Sequence, residues 1–107
     1  MAAGGVASAS SVTLNCVRDD GAGNFAFTID AANKMVTVGR FENIPAQIGD
    51  QTITFHYYLG QLWGKTDTPE YFVTFDRGTG VFSTNAAAGA NKIGKRWGPV
   101  SATSRCK

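Results

Sequence analysis

Apolar and polar positions alternate with period two along most of the chain, and turn-forming residues break the alternation at short intervals. Val12, Leu14 and Cys16 alternate with Thr13 and Asn15, which predicts a half-buried strand. Asp19-Asp20-Gly21-Ala22-Gly23-Asn24 reads as a turn, and Phe25, Phe27 and Ile29 then alternate with Ala26 and Thr28. Asp30-Ala31-Ala32-Asn33 reads as a hairpin loop leading to a third strand with Val36 and Val38. The stretch from Phe41 to Asp50 contains Pro45 and Gly49 and is expected to be an irregular connection or a weak edge strand. Gln51 to Leu59 is the clearest strand, with Ile53, Phe55, Tyr57 and Leu59 on one face and Thr52, Thr54, His56 and Tyr58 on the other. After a long loop, Gly60 to Pro69, a strand is expected over Glu70 to Asp76. Arg77-Gly78-Thr79-Gly80 turns it into Val81 to Asn85. A second long loop, Ala86 to Lys95, precedes a last strand from near Trp97 to Cys106, on which Val100, Ala102, Ser104 and Cys106 face one way.

The pattern predicts an all-β fold: a small antiparallel barrel or sandwich of about seven strands, with its terminal strands side by side. At 107 residues the chain is one domain's worth of polypeptide, and 43% hydrophobic residues against 17% charged ones exclude wholesale disorder. No uninterrupted apolar run is long enough to make a membrane-spanning helix. Residues 12–107 form the expected β domain. Residues 1–11, small and polar, are expected to be a flexible or partner-bound arm. They lack the basic start and apolar run of a complete signal peptide, although Ala7-Ser8-Ala9 resembles a cleavage site.

The two cysteines lie near the two ends of the β pattern. With a single histidine, His56, far from both in sequence, they do not make the three or four clustered ligands of a metal site, and no metal or cofactor is expected. Two readings remain, a Cys16–Cys106 disulfide and a pair of buried free thiols. The disulfide is preferred because it ties the first strand to the last. Closing a loop of that length contributes about 4 to 5 kcal/mol in the chain-entropy model. It would also place the protein in an oxidising destination: the periplasm, the exterior or a released particle.

Charge is uneven. Residues 1–76 hold four cations against eight acids, whereas residues 77–107 hold six cations and no acid. One reading is a domain kept soluble by cationic loops, the other a bipolar body whose basic side meets an acidic neighbour. Catalysis is not expected: His56 is the sole candidate base, it sits mid-strand, and no glycine-flanked serine accompanies it. Nucleic-acid binding is disfavoured, because Lys92, Lys95 and Arg96 beside Trp97 lie in a loop while the first three-quarters of the chain is acidic. Asp19 to Asn24 misses the spacing of an EF-hand calcium loop. Adjacent aromatics, Tyr57-Tyr58 and Tyr71-Phe72, cannot all face one core, and Trp63 and Trp97 lie in or near loops. Tyr58, Trp63, Lys92, Lys95, Arg96 and Trp97 are therefore the candidate partner-binding residues.

The segments Leu14-Asn15-Cys16, Phe27-Thr28-Ile29-Asp30, Ile53-Thr54-Phe55 and Arg77-Gly78-Thr79-Gly80-Val81-Phe82, with Cys106 at the far end, carry a resemblance. Together they resemble small cysteine-framed β proteins, with an R-x-T-G turn between late strands, encoded in genomes of tailed bacteriophages and proteobacteria. The resemblance implies a non-enzymatic structural or interaction protein of the virion, such as a capsid decoration (cement) protein, with neighbouring subunits or further copies of itself as partners. A more distant likeness is to periplasmic barrels that inhibit C-type lysozyme and also join their terminal strands by a disulfide; their serine-glycine-alanine segment is not found here. That likeness implies the alternative, a secreted or periplasmic protein that inhibits a hydrolase through its loops.

Overall fold

In a computed structural model, which describes residues 11–107, the chain is an antiparallel barrel of eight strands with a two-stranded ribbon at one end. The strands in chain order are β1 (Ser11–Arg18), β2 (Asn24–Asp30), β3 (Met35–Val38), β4 (Phe41–Ile48), β5 (Thr52–Tyr58), β6 (Glu70–Asp76), β7 (Val81–Ala86), the ribbon pair β8 (Gly89–Ala90) and β9 (Arg96–Trp97), and β10 (Val100–Cys106). Around the barrel the order is β1-β10-β7-β6-β5-β4-β3-β2, closing on β1. β1 begins at Ser11, which pairs with Asp30, so the strand takes in the last residue of the expected arm. The remainder of that arm lies outside the described residues.

Alternation becomes inside and outside. Leu14 and Cys16 on β1, Phe25, Phe27 and Ile29 on β2, Ile53, Phe55 and Tyr57 on β5, and Val73 and Phe75 on β6 all point inward. Phe27 is the hub, its ring centroid 5.0 Å from Phe75, 5.1 Å from Phe82 and 5.9 Å from Phe55. Each such ring pair adds roughly 0.5–1.5 kcal/mol beyond the area it buries.

β4 corrects the expectation of an irregular connection or weak edge. It is a full member of the barrel, paired with β3 on one side and β5 on the other. Its alternation is hidden by a bulge: Val36 pairs with Ile44 and Val38 with Phe41, so Glu42 and Asn43 together oppose Thr37. Asn43 takes the left-handed conformation at φ 56°, and its N–H donates to Thr37 Oγ1 at 3.3 Å. The extra residue lets Phe41 and Ile44, three apart, both turn toward the core. Pro45 is tolerated because it stands where the β5 ladder stops: that ladder runs from Ile48–Ile53 to Ala46–Phe55 and goes no further. Leu59 is a second departure from the expected pattern. It leaves the inward face of β5 and is partly exposed, at the start of a 3₁₀ segment, Leu59–Trp63.

The disulfide is formed between Cys16 and Cys106, which face each other in register across β1 and β10. That seam is short, with three paired positions against seven between β1 and β2. The bridge lies between the reciprocal Asn15–Lys107 backbone bonds, both 3.0 Å, and the Val17–Arg105 pair. Gly80 supports the same corner from β7's side: its carbonyl accepts the Cys106 N–H at 2.8 Å, and its φ of +77° suits glycine. A Cβ there would stand 2.7 Å from the Cys106 carbonyl oxygen.

Replacing both cysteines by serine is expected to lower unfolding stability by about 2–5 kcal/mol, measured by urea titration without reductant. Gly80→Ala is expected to cost about 2 kcal/mol or more in the same assay with the disulfide intact, since strain at positive φ adds to the collision with backbone. A loss under about 0.5 kcal/mol would show that this corner relaxes freely.

Candidate functional site

Because every barrel pairing is antiparallel, the connections alternate between the two ends. One end carries the short turns at 31–34, 49–51 and 77–80. The other carries 19–23, 39–40 and both long connections, 59–69 and 87–99. The long connections link β5 to β6 and β7 to β10, which are consecutive around the barrel, so they are neighbours on the rim. Tyr58, Trp63, Lys92, Lys95, Arg96 and Trp97 are thus all gathered at one end of the molecule.

Each long connection is held by its own hydrogen bonds. In 59–69, the Leu59 N–H donates to the Pro69 carbonyl at 2.9 Å, and the Gly60 N–H donates to Thr68 Oγ1 at 2.8 Å. Gly60 is buried so tightly that a Cβ would meet Thr68 Cγ2 at 2.7 Å. Gly64, at φ 70°, ends the 3₁₀ segment, with its N–H donating to the Gln61 carbonyl at 3.1 Å. Leu62 and Trp63 emerge from this braced turn, and Trp63 is 67% exposed. In the ribbon, Asn91 organises the turn: its Oδ1 accepts the N–H groups of Ile93 at 3.1 Å and Lys95 at 2.9 Å. Ile93 is left at the apex, 86% exposed, between Lys92 and Lys95.

The six expected residues do not behave alike. Trp63, Lys92, Lys95 and Arg96 are exposed. Tyr58 is half-buried and caps the 3₁₀ segment, its N–H donating to Gln61 Oε1 at 3.4 Å. Trp97 is half-buried against Gly89, where a Cβ would collide with the indole Nε1 at 2.9 Å, so its first role is to hold the ribbon together. Leu62 and Ile93 are exposed apolar residues on the same two connections, and the candidate set does not include them. An isoleucine set in the loop sequence Lys92-Ile93-Gly94-Lys95 was the available signal for the second.

The cations of residues 77–107 do not assemble into one basic side. Lys92, Lys95 and Arg96 are on the rim ribbon, whereas Arg77 sits in a short turn at the other end and donates from Nη1 to the Gly49 carbonyl at 2.9 Å. Arg105 lies on the outer face of β10, 3.5 Å from Asp19. His56 also lies on the outer wall. Its Nδ1 is 2.7 Å from Glu70 Oε2, and its ring stacks on the exposed Phe72 at 5.6 Å, beside an open groove of about 480 Å³ that Pro45 also borders. Neither neighbour is a serine or a cysteine.

A cavity of about 200 Å³ opens at the barrel mouth inside the loop-bearing end. It exists because the interior residues of β7 and β10 there are small, Thr84, Ala102 and Ser104, while the facing wall carries Phe25, Tyr57 and Tyr71. Arg18 is its one charged lining residue. The guanidinium is held by Asp20 at 2.7 Å; the Ala22 N–H, first, and Arg18 itself keep the Asp20 carboxyl below its ordinary range. Tyr57 lies tilted against Phe41 at 4.8 Å and meets Tyr71 edge-on at 5.5 Å. Burial, and secondarily Tyr71, push its phenol up to about 12.

Among the described residues no group of three histidine, cysteine or acidic side chains is placed to hold a metal ion, and no helix is long and apolar enough to cross a membrane. No family model, no curated protein and no solved structure matches the chain. The class is therefore set by the structure alone: a closed eight-stranded barrel, disulfide-joined at its terminal strands, with a braced two-loop rim.

The raised Tyr57 pKa fixes the sign of one pH effect. The stabilisation is present in full below the phenol's unfolded value, near 10, and is lost as pH climbs toward about 12. Denaturation curves from pH 8 to 12 are expected to show that decline, and Tyr57→Phe to flatten it.

Proposed function

We propose that the protein is a non-enzymatic interaction domain that binds a protein partner through the rim built by residues 59–69 and 87–99. The observation that carries the reading is the composition of that rim. Leu62, Trp63 and Ile93 stand exposed on hydrogen-bonded turns, with Lys65, Lys92, Lys95 and Arg96 around them. A large exposed aromatic on a rigid support is the anchor of a binding hot spot, and the cations favour a partner whose apolar patch is bordered by acids. The closed barrel supplies rigidity, so little ordering cost falls on binding. The disulfide is in keeping with a virion or with the periplasm or exterior.

In the leading setting the partner is a neighbouring virion subunit and the barrel decorates the capsid. A second setting, a hydrolase inhibitor, is favoured by one feature: Ile93 at the tip of a narrow ribbon is shaped to enter a cleft. The reading without catalysis is supported by the engagement of His56 with Glu70 and Phe72 and of both cysteines with each other.

The test uses purified protein with particles from an induced lysate of the strain that carries the gene, separated on a density gradient, and a parallel C-type lysozyme inhibition assay. The protein is expected to sediment with the particles. The double variant Trp63→Ala with Ile93→Ser is expected to bind at least about tenfold more weakly with an unchanged melting temperature. Protein that stays at the top of the gradient and leaves lysozyme fully active would refute the reading.

A further inference from the structure

The mouth cavity is a feature that rim recognition does not use. Two of its lining side chains are polar and more than nine-tenths buried, Ser104 at 4% exposure and Tyr57 at 7%. Neither hydroxyl is hydrogen-bonded to another described side chain, yet no buried side-chain oxygen is left both unpartnered and sealed from solvent. Both side chains line the cavity. An interior that only needed filling would be served by apolar side chains, which carry no polar desolvation cost.

We propose that this cavity is a binding site for a small aromatic carboxylate, with the ring between the Tyr57–Tyr71 wall and Phe82 and the carboxylate received by Arg18 and the Ser104 hydroxyl. Size supports a single ring: a cavity of about 150 Å³ is enough for benzene, and this one measures about 200 Å³. The walls suit a ring, since Phe25 and Phe82 already meet edge to face at 5.0 Å and Tyr57 and Tyr71 do so at 5.5 Å. The polar lining is rich in donors and contains no acid: Arg18, Ser104, Thr84 and the two phenols. Tyr57, which resists ionisation up to about 12, remains a donor at neutral pH. Arg18 has five N–H donors and shares one nitrogen with Asp20 at 2.7 Å, so it is held in place with donors to spare. Eight-stranded barrels are wide enough to hold one small ligand at the mouth.

The experiment is a ¹H–¹⁵N NMR titration of the disulfide-bonded protein with benzoate and, separately, with benzyl alcohol as the uncharged ring. Benzoate is expected to give saturable shifts at the Tyr57, Ala102 and Ser104 amides. Arg18→Gln is expected to weaken benzoate at least about tenfold and benzyl alcohol by less than about twofold. Ala102→Leu, which fills the cavity from β10, is expected to abolish both titrations while the melting temperature holds or rises. The absence of saturation by benzoate up to about 10 mM would overturn the proposal. So would benzoate binding unchanged by Ala102→Leu, or equal weakening of both ligands by Arg18→Gln. The Trp63→Ala, Ile93→Ser variant is expected to keep its benzoate titration, which separates failure of this site from failure of rim recognition.

Discussion

The barrel depends on being closed at the β1–β10 seam. Every other neighbouring pair of strands is joined by a hairpin or a single connection, so local sequence helps set its register. β1 and β10 are brought together from 90 residues apart and share three paired positions. Opened there, the sheet would present two edges whose free N–H and C=O groups invite pairing with other chains. The Cys16–Cys106 bond holds the seam, and the Asn15–Lys107 and Gly80–Cys106 backbone bonds brace the same corner. Closure then fixes which side of every strand is interior, and so which residues are left for the rim.

From that constraint follows a division between the ends. Where the turns are short, the interior is filled by Phe27 with Phe55, Phe75 and Phe82, and nothing there projects far. Where the connections are long, the interiors of β7 and β10 end in the small residues Thr84, Ala102 and Ser104, and the chain spends its extra length on two braced excursions. One end thus provides stability and the other provides surface. The division explains how exposed Trp63 and Ile93 are tolerated: neither is needed by the core, and both are carried by turns whose backbone bonds are satisfied locally.

Much of this was legible in the sequence, because a barrel strand with one wet face writes itself as alternation. The clean strands β1, β2, β5, β6 and β7 all fall where Val12, Phe25, Gln51, Glu70 and Val81 announce them. β4 was not legible, since the Asn43 bulge puts Phe41 and Ile44 in phase across an odd spacing and Pro45 imitates a chain break. The ribbon was hidden for a different reason: its two-residue strands are held by an asparagine side chain and an indole on a glycine, with no periodic pattern. The rim residues could be nominated as loop aromatics and cations, but their convergence needed the alternation of loop ends. The mouth cavity could not be read at all, because it is a mismatch in volume between walls that are distant in sequence.

Three seams in the barrel have only three paired positions, β1–β10, β3–β4 and β4–β5, and the chain treats the first and the last differently. The first is covalently closed. The last is left to its short ladder and tight turn, and beyond Ala46–Phe55 the two strands separate. Continuing that register would set Pro45 opposite His56, where a proline has no N–H to offer the His56 carbonyl. The arrangement is a weakness by ladder count but a protection by chemistry, since a proline and a bulge on a diverging strand discourage edge-to-edge pairing. β4, held by only three paired positions on each side, is consequently the natural site of local opening in a barrel whose ends cannot part. Such opening would loosen Tyr57 and Phe41, which meet across the β4–β5 seam at 4.8 Å, before it disturbed Phe27 and the disulfide corner. Flexibility is thereby directed toward the loop-bearing mouth and away from the core.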